Sequence, residues 1–169
     1  MRKSLSALAQ DAQLDCGGRA TSDDKVHLTL FFLGDVDARR AVAVEGAADR
    51  VRGEFFDLTL DRIGYWRHNR IVWAGATYQP PALSVLVTRL SAGLAAEGVE
   101  SEGRPYVPHL TLVRNAERKP ALAVIEPHPW HVRDFVLVQS MPTRGGVRYQ
   151  VLRTWPFALA LKAWGGPAP

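Results

Sequence analysis

The sequence predicts an α+β fold: two pseudo-symmetric lobes, each an antiparallel β-sheet backed by helices, meeting at a central cleft. The tetrapeptide HLTL occurs twice, in VHLTLFFLG from Val26 to Gly34 and in PHLTLVRNA from Pro108 to Ala116. Each copy follows a stretch of helical periodicity and precedes, across a connection, two β-rich segments. A repeated order of elements with one tetrapeptide at the same place in each half is the signature of two equivalent units. The 169 residues, 47% of them hydrophobic, suffice for one such bilobal domain, residues 1–169, around a shared core.

The elements follow in order. Leu5, Leu8, Ala9 and Ala12 recur at helical spacing in RKSLSALAQDAQ, so the chain starts almost inside a helix. LDCGGRA follows as a glycine-bearing turn in which Cys16 is expected as a loop residue, and VHLTLFFLG is the first strand of the repeat. DVDARRAVAVEGAADRV puts Val44, Ala47, Ala48 and Val51 on one face of a second helix, which Asp35 or Asp37 can cap. FFDLTLDRIGYW and RIVWAGATY, joined by the polar RHN, read as a hairpin. PPALSVLVTRLSAGLAAEG opens on proline, aligns Leu83, Leu86, Val87, Leu90 and Leu94, and closes at Gly98, a helix with both ends marked. The second HLTL strand, a proline-bearing loop, and a further hairpin of WHVRDFVLVQSM and VRYQVLRTWPFAL around PTRGG complete the fold. The tail GGPAP, residues 165–169, is expected to be flexible.

The repeat is imperfect in a telling way. RIVWAGATY runs directly into the helix before the second HLTL, whereas only Met1 precedes the helix before the first. The first half therefore lacks a strand. An upstream segment or a neighbouring chain is expected to fill its place, the latter by homodimerisation or strand exchange.

Composition narrows the function classes. Cys16 is the only cysteine, which excludes a disulfide framework and a cysteine-based metal site and fits a reducing compartment. No apolar run approaches the roughly 20 residues of a membrane span, and no signal-peptide pattern opens the chain, so a soluble, cytoplasmic protein is expected. The net charge of +4 and a sequence pI ≈ 9.6 are weak encouragement for a polyanionic partner.

The chemistry rests on HLTL. Residues i and i+2 of a strand share a face, so His27 and Thr29 look one way while Leu28 and Leu30 look the other; His109 and Thr111 repeat this against Leu110 and Leu112. With the lobes facing each other, both His/Thr pairs converge on one cleft. Two imidazoles of ordinary pKa near 6.5 supply a general base and a general acid at neutral pH without a metal. Threonine hydroxyls can donate to non-bridging phosphoryl oxygens, and Arg114, directly after the second strand, can neutralise charge there. That set suits in-line attack at a phosphodiester. A metal-ligand reading of the histidines is weaker, because carboxylate or cysteine companions at short spacing are absent.

Paired H-x-T motifs on strands of a duplicated α/β domain resemble the 2H phosphoesterase superfamily, and the details resemble its RNA 2′,3′-cyclic phosphodiesterase branch, also called 2′-5′ RNA ligase or LigT-like. HLTLFFLGDV is similar to the first motif of that family and RPYVPHLTLVRNA to the second; DLTLDRIGYW with RIVWAG, and SMPTRGGVRYQVLRTWPF, are similar to its later segments. The likeness spans Met1 to Phe157. Family members open with a short hydrophobic strand that is missing here, in agreement with the imperfect repeat. The resemblance implies His27 and His109 as the catalytic pair, Thr29 and Thr111 as phosphate binders, and Arg114 as an auxiliary phosphate contact. The implied reaction opens an RNA-terminal 2′,3′-cyclic phosphate to a 2′-phosphate, with no metal or cofactor, and its reversal would give 2′-5′ ligation. His109 is taken as base and His27 as acid, an order that the sequence leaves open. The alternatives are a cyclic phosphodiesterase for a small nucleotide or an ADP-ribose derivative, and a non-catalytic module that binds RNA or phosphate.

Other residues are weaker candidates beside the motifs. Arg144, Arg148 and Tyr149 lie in or beside TRGGVRY, within reach of a substrate, and Ser140 is a further candidate. Trp66, Tyr65 and Trp73 can stack on a base; Trp73, inside RIVWAG, is assigned to the core and Trp66 is the stacking candidate. His68, His128 and His131 lack the H-x-T context and are read as surface histidines in loops or at a strand start.

Overall fold

A computed structural model of the chain describes residues 2–100, 103, 105–144 and 146–158. The tail expected at 165–169 lies outside the described residues. Helix α1 (Arg2–Cys16) buries Leu5, Leu8, Ala9, Ala12 and Cys16 along one stripe. Cys16 is thus no loop residue: it is the last member of that stripe, fully buried, and burial raises its thiol pKa. The helix ends because Gly17 and Gly18 adopt φ of +71° and +86°, and a side chain at Gly18 would collide with the backbone of Arg114–Ala116. Helix α2 (Ala38–Asp49) is capped by the Asp37 carboxylate, which accepts the Arg40 N–H at 2.7 Å. Helix α3 (Pro81–Ala96) has proline in its first turn and buries Leu83, Leu86, Leu90 and Leu94.

The strands β1 (Arg19–Ala20), β2 (Phe56–Trp66), β3 (Ile71–Gly75), β4 (Leu110–Arg114) and β5 (Val124–Val132) form an antiparallel sheet in the order β1-β4-β3-β2-β5. Strands β6 (Asp134–Thr143) and β7 (Gly146–Pro156) pair with each other and, among the described residues, with no other strand, as the second expected hairpin. Strand β5 occupies the stretch expected as a proline-bearing loop. It is the edge of the sheet, pairing with β2 on one side, and there Pro127 and Pro129 are tolerated because both sit at alternate positions of an edge strand. One apolar cluster joins the helices to both sheets, with Leu5, Leu58, Leu60, Leu110, Leu112 and Val113 among its fully buried members. Among the described residues no helix is long and apolar enough to cross a membrane.

The first HLTL departs from expectation. Leu28 bridges Leu110 beside β4, and no ladder extends along residues 26–33. The second copy becomes a strand because β3 pairs with it; the first has no described strand on its other side. A full strand was expected along this stretch, and among the described residues it makes the single bridge to Leu110.

Glycines shape the sheet where β2 meets β3. Gly64 faces Trp73 directly, and a Cβ at Gly64 would fall inside the Trp73 ring. Gly64→Ala is expected to cost about 1–3 kcal/mol by overpacking. Gly46→Ala, in α2 where a methyl would meet only the Arg50 guanidinium at an ordinary 3.8 Å, should instead be neutral or stabilise by up to about 1 kcal/mol. Urea unfolding of both variants checks the contrast.

Candidate active site

Leu28 and Leu110 hold the same place in the two tetrapeptides and stand opposite each other in an antiparallel bridge. That register sets His27 opposite Thr111 and Thr29 opposite His109. Alternation turns the leucines to the core and the four polar side chains to the other face. The two imidazoles therefore occupy opposite corners of a small rectangle and the two hydroxyls the remaining corners.

Both rings are anchored alike. His27 Nδ1 donates to the Lys25 carbonyl at 2.7 Å, and His109 Nδ1 donates to the Val107 carbonyl at 2.8 Å. Each Nε2 is left for the cleft, an acceptor when the ring is neutral and a donor when it is protonated. An aromatic ring also flanks each histidine edge-on: Trp66 at 4.5 Å from His109 and Tyr149 at 4.8 Å from His27, centroid to centroid. Trp66 reaches from β2 across β3, whereas Tyr149 reaches from β7 across the place where no strand is described.

The environments nonetheless differ. His109 is half-buried under Trp66 and near Trp73, at 6.5 Å, while His27 is exposed. Burial holds the His109 pKa below its ordinary value; the positive charges of His27 and Arg114 act in the same direction, and the Val107 carbonyl opposes them.

A bulge directs Arg114. Val72 pairs with Val113 and Trp73 with Thr111, so Leu112 is an extra residue in β4. Strict alternation from Thr111 would turn Arg114 to the leucine face; the inserted residue returns it to the face of Thr111 and His109. Its effect on the His109 titration is the electrostatic trace of that proximity.

The chain is similar to known proteins along most of its length. The family model described as the 2′-5′ RNA ligase superfamily matches residues 2–140. The chain belongs to that superfamily. It is 38% identical over 143 residues to an RNA 2′,3′-cyclic phosphodiesterase of Escherichia coli (strain K12), covering 82% of this chain and 79% of the relative. An RNA 2′,3′-cyclic phosphodiesterase of Archaeoglobus fulgidus is 24% identical, covering 92% of this chain and 93% of the relative. The crystal structure of E. coli LigT complexed with 3′-AMP superimposes with a TM-score of 0.83 at 34% identity, covering 92% of this chain and 90% of that one. The α+β, LigT-like fold expected from the sequence is therefore the fold observed.

Within this 2′-5′ RNA ligase scaffold the remaining candidates separate. Trp66 lies against His109, and Trp73 is buried as expected but on the cleft face beside His109 rather than within the apolar core cluster. Ser140 pairs with Tyr149 and shares its face, but Arg148 pairs with Met141 and, by alternation, turns to the opposite face of β7. Arg148 is thus not brought to the histidines; adjacent strand residues cannot both face one cleft. Arg144 is exposed in the turn and Tyr65 lies on the back of β2, opposite the face of Trp66. His68 is exposed in the β2–β3 turn, while His128 and His131 lie within β5, hydrogen-bonded to Ser4 at 2.9 Å and to Asp57 at 2.7 Å. They are strand residues that tie α1 and β2 to the sheet edge. The sequence reading missed Arg62, four residues before Trp66 on the same face of β2, whose guanidinium lies 5.5 Å from the Trp73 ring centroid. The period-two spacing from Trp66 was the available signal.

The burial account makes an assay-free expectation. In an NMR titration the His109 ring should protonate below the ordinary value near 6.5, and Trp66→Ala, by admitting water, should move it upward toward that value. An unmoved titration in Trp66→Ala would transfer the effect to Arg114 and His27.

Proposed function

We propose that this protein opens RNA-terminal 2′,3′-cyclic phosphates to 2′-phosphates by two-histidine acid–base catalysis. The observation that carries the reading is the diagonal set by the Leu28–Leu110 bridge, with imidazoles at two opposite corners and threonine hydroxyls at the others. A phosphorus at the centre has one ring on the side of the attacking water and the other on the side of the leaving oxygen, the requirement of an in-line displacement.

His109 Nε2 takes a proton from water as the new O–P bond forms. Protonated His27 delivers its Nε2 proton to the departing 3′ oxygen as the O3′–P bond breaks. Thr29 and Thr111 donate to the non-bridging oxygens, and Arg114 offsets charge that builds there. The lowered pKa of His109 supports its role as base, because the neutral ring is then the prevailing form near neutral pH. Trp66 and Tyr149 hold the two rings upright and offer edges to the substrate's base; Arg148, which faces away, receives no role. The two proton transfers need no metal, and a 5′-hydroxyl taking the place of water would open the cyclic phosphate to a 2′-5′ linkage, with the 3′ oxygen leaving in the same way. The names of the relatives at 38% and 24% identity support the RNA end as substrate.

A cytoplasmic location belongs to the same reading, with the buried free thiol of Cys16 suited to a reducing compartment. We infer further that the open edge between residues 26–33 and β7 pairs with an extended strand of a second copy, as a homodimer or by strand exchange. Phe32 and Val151, 71% and 56% exposed there, support this. Light scattering should then report a dimer at micromolar concentration; a monomer at all concentrations would remove the inference.

The decisive assay incubates the protein, with chelator, with a short RNA ending in a 2′,3′-cyclic phosphate and locates the product phosphate. A 2′-phosphate is expected, with kcat lowered about 10²–10⁴-fold in His27→Ala and in His109→Ala. Activity on a mononucleotide or ADP-ribose cyclic phosphate but not on RNA would favour the small-substrate alternative, and binding without turnover the non-catalytic one. The acid limb of kcat/KM reports loss of the base, so it should fall below the ordinary histidine value near 6.5.

A further inference from the structure

Arg62 lies outside the rectangle of histidines and threonines, and nothing above gives it work. It pairs with Gly75 across the β2–β3 ladder, two residues from Gly64 and four from Trp66, all on the cleft face. Its guanidinium lies over the Trp73 indole at 5.5 Å, and the same indole stands 6.5 Å from His109. The indole needs bare backbone beneath it: side chains at Gly64 or at Gly75 would collide with the ring. Trp73 is only 8% exposed, sealed by Arg62 on one side and tilted against Trp66 at 5.4 Å on the other. Two glycines, an indole and a stacked guanidinium thus form one layered support, while Arg62 itself remains exposed.

Among the described residues no carboxylate pairs with Arg62, in contrast to Arg50 and Arg118, which each hold one, and Arg153, which holds two. A guanidinium fixed on an aromatic face has already lost much of its freedom, so it binds an anion at a lower entropic cost than a free arginine. Strand spacing places it two ladders from Thr111, beyond the phosphate held between the histidines.

We propose that Arg62, held on Trp73, binds the backbone phosphate of a nucleotide upstream of the reacting end, so that this cleft prefers an oligoribonucleotide to a mononucleotide. The proposal rests on the RNA-end reading above and adds to it a subsite for the chain leading to that end. Arg62 is a binding residue here, with no part in the proton transfers. The rate on a substrate that carries no upstream phosphate is therefore independent of it.

The test compares a mononucleoside 2′,3′-cyclic phosphate with a trinucleotide ending in the same group, for the wild type, Arg62→Met and Arg62→Lys. Methionine keeps an apolar cover over Trp73 without the charge. Arg62→Met should lower kcat/KM on the trinucleotide about tenfold, through KM, and leave the mononucleotide unchanged. The salt dependence on the trinucleotide should become shallower by about 0.7 in log–log slope, one phosphate contact fewer on a single strand. Arg62→Lys should recover part of the loss, since the charge remains but the planar fork does not. Equal losses on both substrates would make Arg62 a structural cover for Trp73, and no loss on either would leave it without a ligand; both overturn the proposal. Wild-type turnover of neither substrate would instead overturn the RNA-end reading beneath it.

Discussion

A single backbone bridge, Leu28 to Leu110, decides what the rest of the molecule can do. It aligns equivalent positions of a repeated tetrapeptide, and the antiparallel register then fixes the four polar side chains without further choice. What secures the bridge is the apolar side of the same residues. Leu110 and Leu112 are at most 1% exposed in the common core, and each such side chain contributes about 1.5–3 kcal/mol by burial. Core and site are two faces of one motif, so the leucines position the histidines as firmly as any hydrogen bond does.

Pseudo-symmetry supplies two similar histidines, but the proposed chemistry needs two different ones. Their anchoring is the same, ring Nδ1 to the carbonyl two residues back in both cases. The difference enters through the neighbours. Beside His109 stand a paired strand, Trp66, Trp73 and Arg114, which withdraw water and place positive charge nearby. Beside His27 stands Tyr149 on a strand that no ladder joins to the first HLTL. The asymmetry of the fold is thus felt at His109: the strand laddered to β3 holds the ring whose pKa is lowered.

Much of this was legible in the sequence because it depends on periodicity. Helical spacing located α1, α2 and α3, alternation located both hairpins, and the duplicated H-x-T located the converging face. Features set by insertions and by neighbours were not legible. Arg114 faces the cleft only because Leu112 is bulged, and one extra residue in a ladder leaves no mark on the composition of LTLVR. Strand β5 was hidden by Pro127 and Pro129, which forbid a central strand but not an edge, and edge status is decided by tertiary pairing. Cys16 was misplaced because the turn LDCGGRA was taken to start at Leu14, three residues before Gly17, although the apolar stripe of α1 runs on to it. The first HLTL forms no ladder beyond its bridge to Leu110, since among the described residues no strand pairs along its other side, and only pairing completes a strand that local pattern prepares.

The β6–β7 hairpin ties these points together. Its base is held by side chains: Arg153 donates to Glu45 at 3.0 Å and to Asp49 at 2.6 Å, the Trp155 indole N–H donates to Asp49 at 2.7 Å, and Phe135 stacks on Trp155. The Trp155 hydrogen bond and the Arg153 charge both lower the Asp49 pKa, so the carboxylate stays ionised for this contact. These ties are at one end, while Tyr149, which meets His27, is near the other. Trp66 is held differently, at the end of β2, where residues 62–66 are laddered to β3. The environment of His109 is therefore built into a sheet, whereas that of His27 depends on a two-stranded arm anchored to α2. Whatever occupies the edge between that arm and residues 26–33 bears on His27 directly, and on His109 only through the charge of its partner ring.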